Sequence, residues 1–163
     1  MSCALPVQPM PTQPSSPLPL PLERVLGAFR TMGREEKMQS LLSWSKRLEP
    51  LPPHIAALDR SDFSVPECQT KVELIPEAHD GRIHFYADVN VRQSPTVAAF
   101  LAIVFSAVND QPPAVTLAIP ADFVPTLMHD VGLGAREVGL SAMVARMQDF
   151  ARRAPAHTPT ATS

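Results

Sequence analysis

Two hydrophobic periods alternate along the chain, and each change of period marks an element. In LERVLGAFRTM (22–32), Val25 or Leu26, Phe29 and Met32 recur at helical spacing. Gly33 interrupts, and REEKMQSLLSWSKRL (34–48) restarts the period with Met38, Leu41, Leu42, Ser45 and Leu48 as its inward stripe. Glu35 and Glu36 in its first turn, with Lys46 and Arg47 in its last, complement the helix dipole. EPLPP then ends the helix and begins a loop. From Lys71 the period becomes two. Val72 and Leu74 share one face, while Lys71, Glu73 and Ile75 take the other. Asp80-Gly81 is a hairpin turn signal, and RIHFYADV (82–89) returns with Ile83 and Phe85 opposed to Arg82, His84 and Tyr86. A two-stranded ribbon is marginal alone, so a third, irregular strand is expected from SDFS (61–64) or around VNVR (89–92).

The helical period then resumes. Ser94 is a suitable N-cap and Pro95 a suitable first helical residue. From Val97 to Val108 the run is apolar almost all round, which places this helix in the core. It falls short of the roughly 20 residues needed to cross a bilayer, so no membrane span is expected. PPAVTLAI (112–119) and ADFVPTLM (121–128) read as short helical pieces broken by Pro120 and Pro125. A last helix from about Arg136 to Arg153 carries Leu140, Val144, Met147 and Ala151 on one stripe, and Met143, Met147 and Phe150 read as core packing. The predicted class is α+β, a small antiparallel β-sheet flanked by helices.

Composition sets the boundaries. The 163 residues suit one domain, and 45% hydrophobic content suits a folded one. Many of the 19 prolines crowd into residues 1–21, where they forbid helix or sheet. That stretch reads as a disordered arm, 22–153 as the folded domain and 154–163 as a flexible tail. Fourteen basic and 16 acidic residues give a net charge of −2, which offers nucleic acid no general attraction. Two cysteines make no disulfide scaffold, and no secretion signal stands at the start. A reducing, cytoplasmic setting with free thiols follows.

Cys68, in SVPECQTKVEL (64–74), is the candidate for chemistry because it stands where a strand begins. A lone cysteine is commonly a small core residue, yet a loop tip is where side chains meet partners. Pro66 restricts Val65 to extended backbone and favours a loop there. One thiol cannot hold a metal cluster, and the histidines show no paired spacing with it, so no metal site is expected. A hydrolase would need a histidine base near Cys68; His54, His79, His84 and His129 qualify by count only.

The order of GREEKMQSLLSWSKRLEPLPP, SVPECQTKVEL, DGRIHFYADV, AAFLAIVFSAVNDQPP and AREVGLSAMVARM resembles that of the SufE family over roughly residues 22–153. The resemblance implies the fold of SufE and IscU-type proteins, and a sulfur acceptor for a PLP-dependent, SufS-like cysteine desulfurase. It implies onward delivery to an iron–sulfur scaffold such as a SufBCD complex, with no cofactor of the acceptor's own. A CsdE-type acceptor feeding another route, such as tRNA modification, is the alternative, and a non-catalytic interaction domain is a further one. By the same resemblance Cys68 carries the persulfide, and Val65, Pro66, Glu67 and Gln69 form a partner-docking loop. Arg136 has a docking or transfer role, and Gly139 matches the family's glycine three residues on. Lys71 and Asp88 are further candidates, Asn90 standing where a second aspartate is usual. The chain departs from the family at Glu67, where glycine is usual, and at Ala98, Ala99 and Val138. Glutamate adds negative charge beside the thiol, which disfavours the reactive thiolate.

Overall fold

The computed structural model describes residues 18–154. Seven helices and one hairpin follow in the order α1 (Leu20–Thr31), α2 (Arg34–Ser45), α3 (Pro53–Ala56), β1 (Val72–His79), β2 (Arg82–Val89), α4 (Pro95–Val108), α5 (Pro113–Leu117), α6 (Phe123–Val131) and α7 (Glu137–Arg153). Short 3-10 turns at Ser61–Phe63 and Gly134–Arg136 complete the set. The class is α+β, as the two periods require.

The expected turn forms. Asp80 and Gly81 have φ of 50° and 75°, the paired positive angles that match a two-residue loop to strand twist. The strands pair antiparallel from Val72↔Val89 to His79↔Arg82. Val72, Leu74, Ile83, Phe85 and Ala87 face the main core, where α4 is the central helix. Eleven residues of α4 are buried, from Val97 to Val108, because α1, α2, α5 and β2 all pack on it.

No third strand forms among the described residues; the expected one reduces to single bridges. Ser64, inside the SDFS segment, bridges to Glu73, and Gln111 bridges to Ile83, whereas in the VNVR segment Val89 ends β2 and the residues after it turn into α4. Stability for the ribbon comes instead from covering its second face. Ile75 and Tyr86 pack there with Ile55 of α3, flanked by Leu51 and Phe63. The segment read only as a loop is therefore a lid on the ribbon's back.

Four further details differ from the sequence reading. Met38 and Leu42 are 42% and 50% exposed, and the buried side of α2 runs through Leu41 and Ser45, with Trp44 and Leu48 against the core. That helix ends at Ser45, so Lys46 and Arg47 lie beyond it, and Arg47 stacks over Trp44 at 4.5 Å. Pro125 does not break α6 but sits in its first turn, where a missing N–H costs nothing. Residues 18–21 do not belong to an arm: Leu18 packs on the core and α1 starts at Leu20, with Pro21 tolerated in its first turn. The rest of the proline-rich arm, Cys3 and most of the tail lie outside the described residues.

His84 pins the ribbon to its surroundings. Its Nε2 lies 2.9 Å from Glu49, its Nδ1 3.0 Å from Asp110, and its ring tilts against Tyr86 at 4.6 Å. It is thus a half-buried tie on the face opposite Ile83 and Phe85, where the alternation places it. Burial opposes its charge, but hydrogen bonds and attraction to Asp110 and Glu49 outweigh burial and raise its pKa above 6.5. A raised folded value means stability is fully present below pH about 6.5 and lost as pH climbs through that higher value. The melting temperature should therefore decline across this alkaline-going window, and His84→Gln should remove that decline; thermal melts over a pH series check it.

Candidate functional site

The site grows from three short-range constraints around Cys68. Val65, 2% exposed, drives its side chain into the core, and its N–H donates to the Val72 carbonyl at 3.0 Å. The chain then turns: the Cys68 N–H donates back to the Val65 carbonyl at 3.2 Å. Beyond the thiol, the Thr70 and Ser94 hydroxyls meet at 3.0 Å. Ser94 is the N-cap of α4 by position, but its hydroxyl goes to Thr70 instead of capping the helix. Between these ties Pro66, Glu67 and Gln69 expose themselves while Cys68 is half-buried. Val65 is therefore the buried anchor of the loop, and the side chains it leaves exposed are those of Pro66, Glu67 and Gln69.

Cys68 packs directly on the first turn of α7. A Cβ placed on Gly139 would lie 3.0 Å from the Cys68 Cα, 3.2 Å from its Cβ and 3.3 Å from its Sγ. Only the absence of a side chain lets helix and loop approach so closely. The first turn of a helix carries partial positive charge from its free N–H groups.

Beside the thiol is a pocket of about 220 Å³, lined by Glu67, Cys68, Gln69, Val97, Ala135, Arg136, Val138, Gly139 and Leu140. Arg136, exposed at the N-terminal boundary of α7, is thus brought to Cys68 across the fold. Lys71 is exposed at the start of the ribbon and does not line the pocket. Asp88 lies elsewhere too, bonded to Arg60 at 2.8 Å on the ribbon's second face beside Glu73. None of His54, His79, His84 and His129 lines it either, so the hydrolase reading has no base in this pocket. Among the described residues no group of three metal-ligating side chains comes together.

Two features go beyond the sequence reading, in which Val138 is only a departure from the family and Arg146 has no role. Val138, exposed by 73%, stands at the pocket rim next to Arg136. Arg146 reaches across from α7 so that its Nη2 meets both Glu67 carboxylate oxygens, at 3.2 and 3.3 Å. The charge added beside the thiol is therefore paired. Arg146 lies seven residues past Gly139, two turns along the same helix face, but nothing in the local sequence ties it to Glu67, 79 residues earlier.

The described residues thus bring a half-buried free thiol, on a loop, against the start of a helix in a small α+β domain. The particular family follows from comparison. The model of the SufE family, described as an Fe-S metabolism associated domain, matches residues 23–151, and the chain belongs to that family. Two SufE-like proteins, from two strains of Mycobacterium tuberculosis, are each 36% identical over 151 residues, covering 88% of this chain and 99% of theirs. A solution structure of a hypothetical protein from Thermus thermophilus superposes with a TM-score of 0.72 at 26% identity, covering 85% of this chain and 98% of that one. Membership implies a sulfur-acceptor role in iron–sulfur metabolism and engagement with a cysteine desulfurase. No helix among the described residues is long and apolar enough to cross a membrane.

Proposed function

We propose that Cys68 accepts sulfane sulfur from a SufS-like, PLP-dependent cysteine desulfurase and carries it as a persulfide to an iron–sulfur scaffold of the SufBCD kind. The observation that carries the reading is the half-buried Cys68 thiol opening onto a pocket rimmed by Arg136, against a helix N-terminus. The step is a thiol–disulfide exchange in form. The Cys68 thiolate attacks the terminal sulfur of the enzyme's cysteine persulfide, and a new sulfur–sulfur bond forms on Cys68. The old one breaks, and its electron pair leaves with the enzyme's cysteine as thiolate, so no external oxidant or reductant is needed.

Each neighbour has a part. Gly139 admits the thiol to the first turn of α7. Arg136 offers a positive charge to the sulfur that develops negative charge, or to the partner's acidic groups. The pocket shelters the persulfide from stray thiols, which would otherwise reduce it. Pro66, Glu67 and Gln69 present the loop to the partner, and a reducing cytoplasm keeps the thiol free.

The test is catalytic stimulation. Alanine release from cysteine by a SufS-like desulfurase should rise severalfold when this protein is added. Arg136→Ala should slow sulfur acceptance roughly tenfold and remove most of that stimulation, an effect of the size expected when one charge-assisted contact is lost. Stimulation unaffected by Arg136→Ala would remove Arg136 from the site.

A further inference from the structure

We propose that Arg146 is a positioning residue for sulfur transfer: it holds Glu67, and through it the Cys68 loop, in a closed position that must open before the thiol can reach a partner. The sulfur-transfer part rests on the reading above; the closed position rests on the geometry alone.

The loop is held on either side of its thiol. On one side the Thr70 and Ser94 hydroxyls join it to the start of α4. On the other, Glu67 is the residue adjacent to Cys68, and its carboxylate is bound to a helix 79 residues further along the chain. Between the two ties, backbone hydrogen bonding is sparse, the Cys68-to-Val65 turn bond being the one that involves the thiol's own residue. Segments held by so few bonds open at low cost. The side-chain tie therefore has leverage over where Cys68 points.

The tie is also built to yield. The two side chains are 37% and 45% exposed, so solvent and salt reach the pair. Arg146 engages through Nη2, while its buried Nε has no hydrogen-bond partner among the described residues. A guanidinium that commits one nitrogen to its partner forms a weaker tie than a two-nitrogen fork. Glu67's own backbone N–H, and then Arg146, keep its carboxyl below the usual carboxylate range, so the pair remains charged through neutral pH.

Charge and latch predict opposite signs for one variant, which makes the idea testable without a desulfurase. Arg146→Met removes the cation and leaves Glu67 unpaired beside the thiol. If only local charge matters, Cys68 should react more slowly with iodoacetamide, because a nearby anion disfavours the thiolate. If Arg146 holds the loop closed, Cys68 should react faster, by a factor of roughly two to five for a half-exposed pair. The wild-type rate should rise with ionic strength as the pair is screened. Arg146→Lys, which keeps a cation, should stay within about twofold of wild type. An Arg146→Met rate equal to or below the wild type, in a variant with an unchanged thermal melt, overturns the proposal. Alkylation reads the loop alone, so that failure leaves the acceptor role standing, and loss of sulfur acceptance would leave the alkylation result standing.

Discussion

Cys68→Ser yields a folded protein that no longer accepts sulfur from a desulfurase and no longer stimulates it. The hydroxyl is close to the thiol in size, and Cys68 is only half-buried, so the stability change should stay within about 1 kcal/mol. The chemistry, in contrast, is lost entirely. An alkoxide is not formed near neutral pH, and oxygen does not take the place of a thiolate in exchange at sulfur. Turnover of the desulfurase in the presence of the variant should fall to the level of the desulfurase alone. Cys3→Ser, at a position outside the described residues, should behave as wild type. Residual stimulation by Cys68→Ser would mean that binding, rather than sulfur acceptance, activates the partner.

A second large effect is expected at a residue with no reactive group. Gly139→Val should slow sulfur acceptance by about a hundredfold, the size of loss that roughly an ångström of misplacement brings to a reacting group, and so return turnover to nearly the level of the desulfurase alone. The reason is the contact already present: a single methyl at Gly139 meets the Cys68 backbone at 3.0 Å, and valine adds two more carbons towards the pocket. Gly139→Ala is the graded case, because the loop must shift by only a few tenths of an ångström. Alanine also favours helix over glycine by up to about 1 kcal/mol, so its melting temperature should hold or rise while stimulation falls. That separation of stability from activity distinguishes a close-approach glycine from one needed for folding. A Gly139→Val protein that melts normally and stimulates normally would contradict the assigned packing of loop on helix.

Much of this arrangement was legible in the residues. The change from helical to alternating period at Lys71 located the ribbon, and Asp80-Gly81 located its turn, because both signals are local. The all-apolar run from Val97 gave the central helix for the same reason. Where tertiary packing decides, local pattern failed. Apolar residues at 38, 41 and 42 on α2 span a wide arc, and only the position of α4 determines that Leu41 goes in while Met38 and Leu42 stay out. Pro125 reads as a breaker unless the helix start at Phe123 is known.

The site divides in the same way. Cys68 announces itself by scarcity and by its neighbours Val65 and Pro66. Arg136 and Gly139 came only from the resemblance, since nothing in their local sequence points to residue 68. Glu67 was read by its charge alone, and its partner lay too distant in sequence to be paired with it. Val65 was grouped with its exposed neighbours because a docking loop was expected to face outward as a whole. Burial shows that the first residue of that loop is its root.

The central claim is that sulfur rests on Cys68, and intact-protein mass spectrometry after incubation with a SufS-like desulfurase and cysteine reads this directly. The wild-type protein should gain the mass of one sulfur atom, the gain should vanish on treatment with a small thiol, and peptide mapping should place it on Cys68. No gain in mass under conditions where the desulfurase itself is charged, or a sulfur mapped to any other residue, would contradict the account.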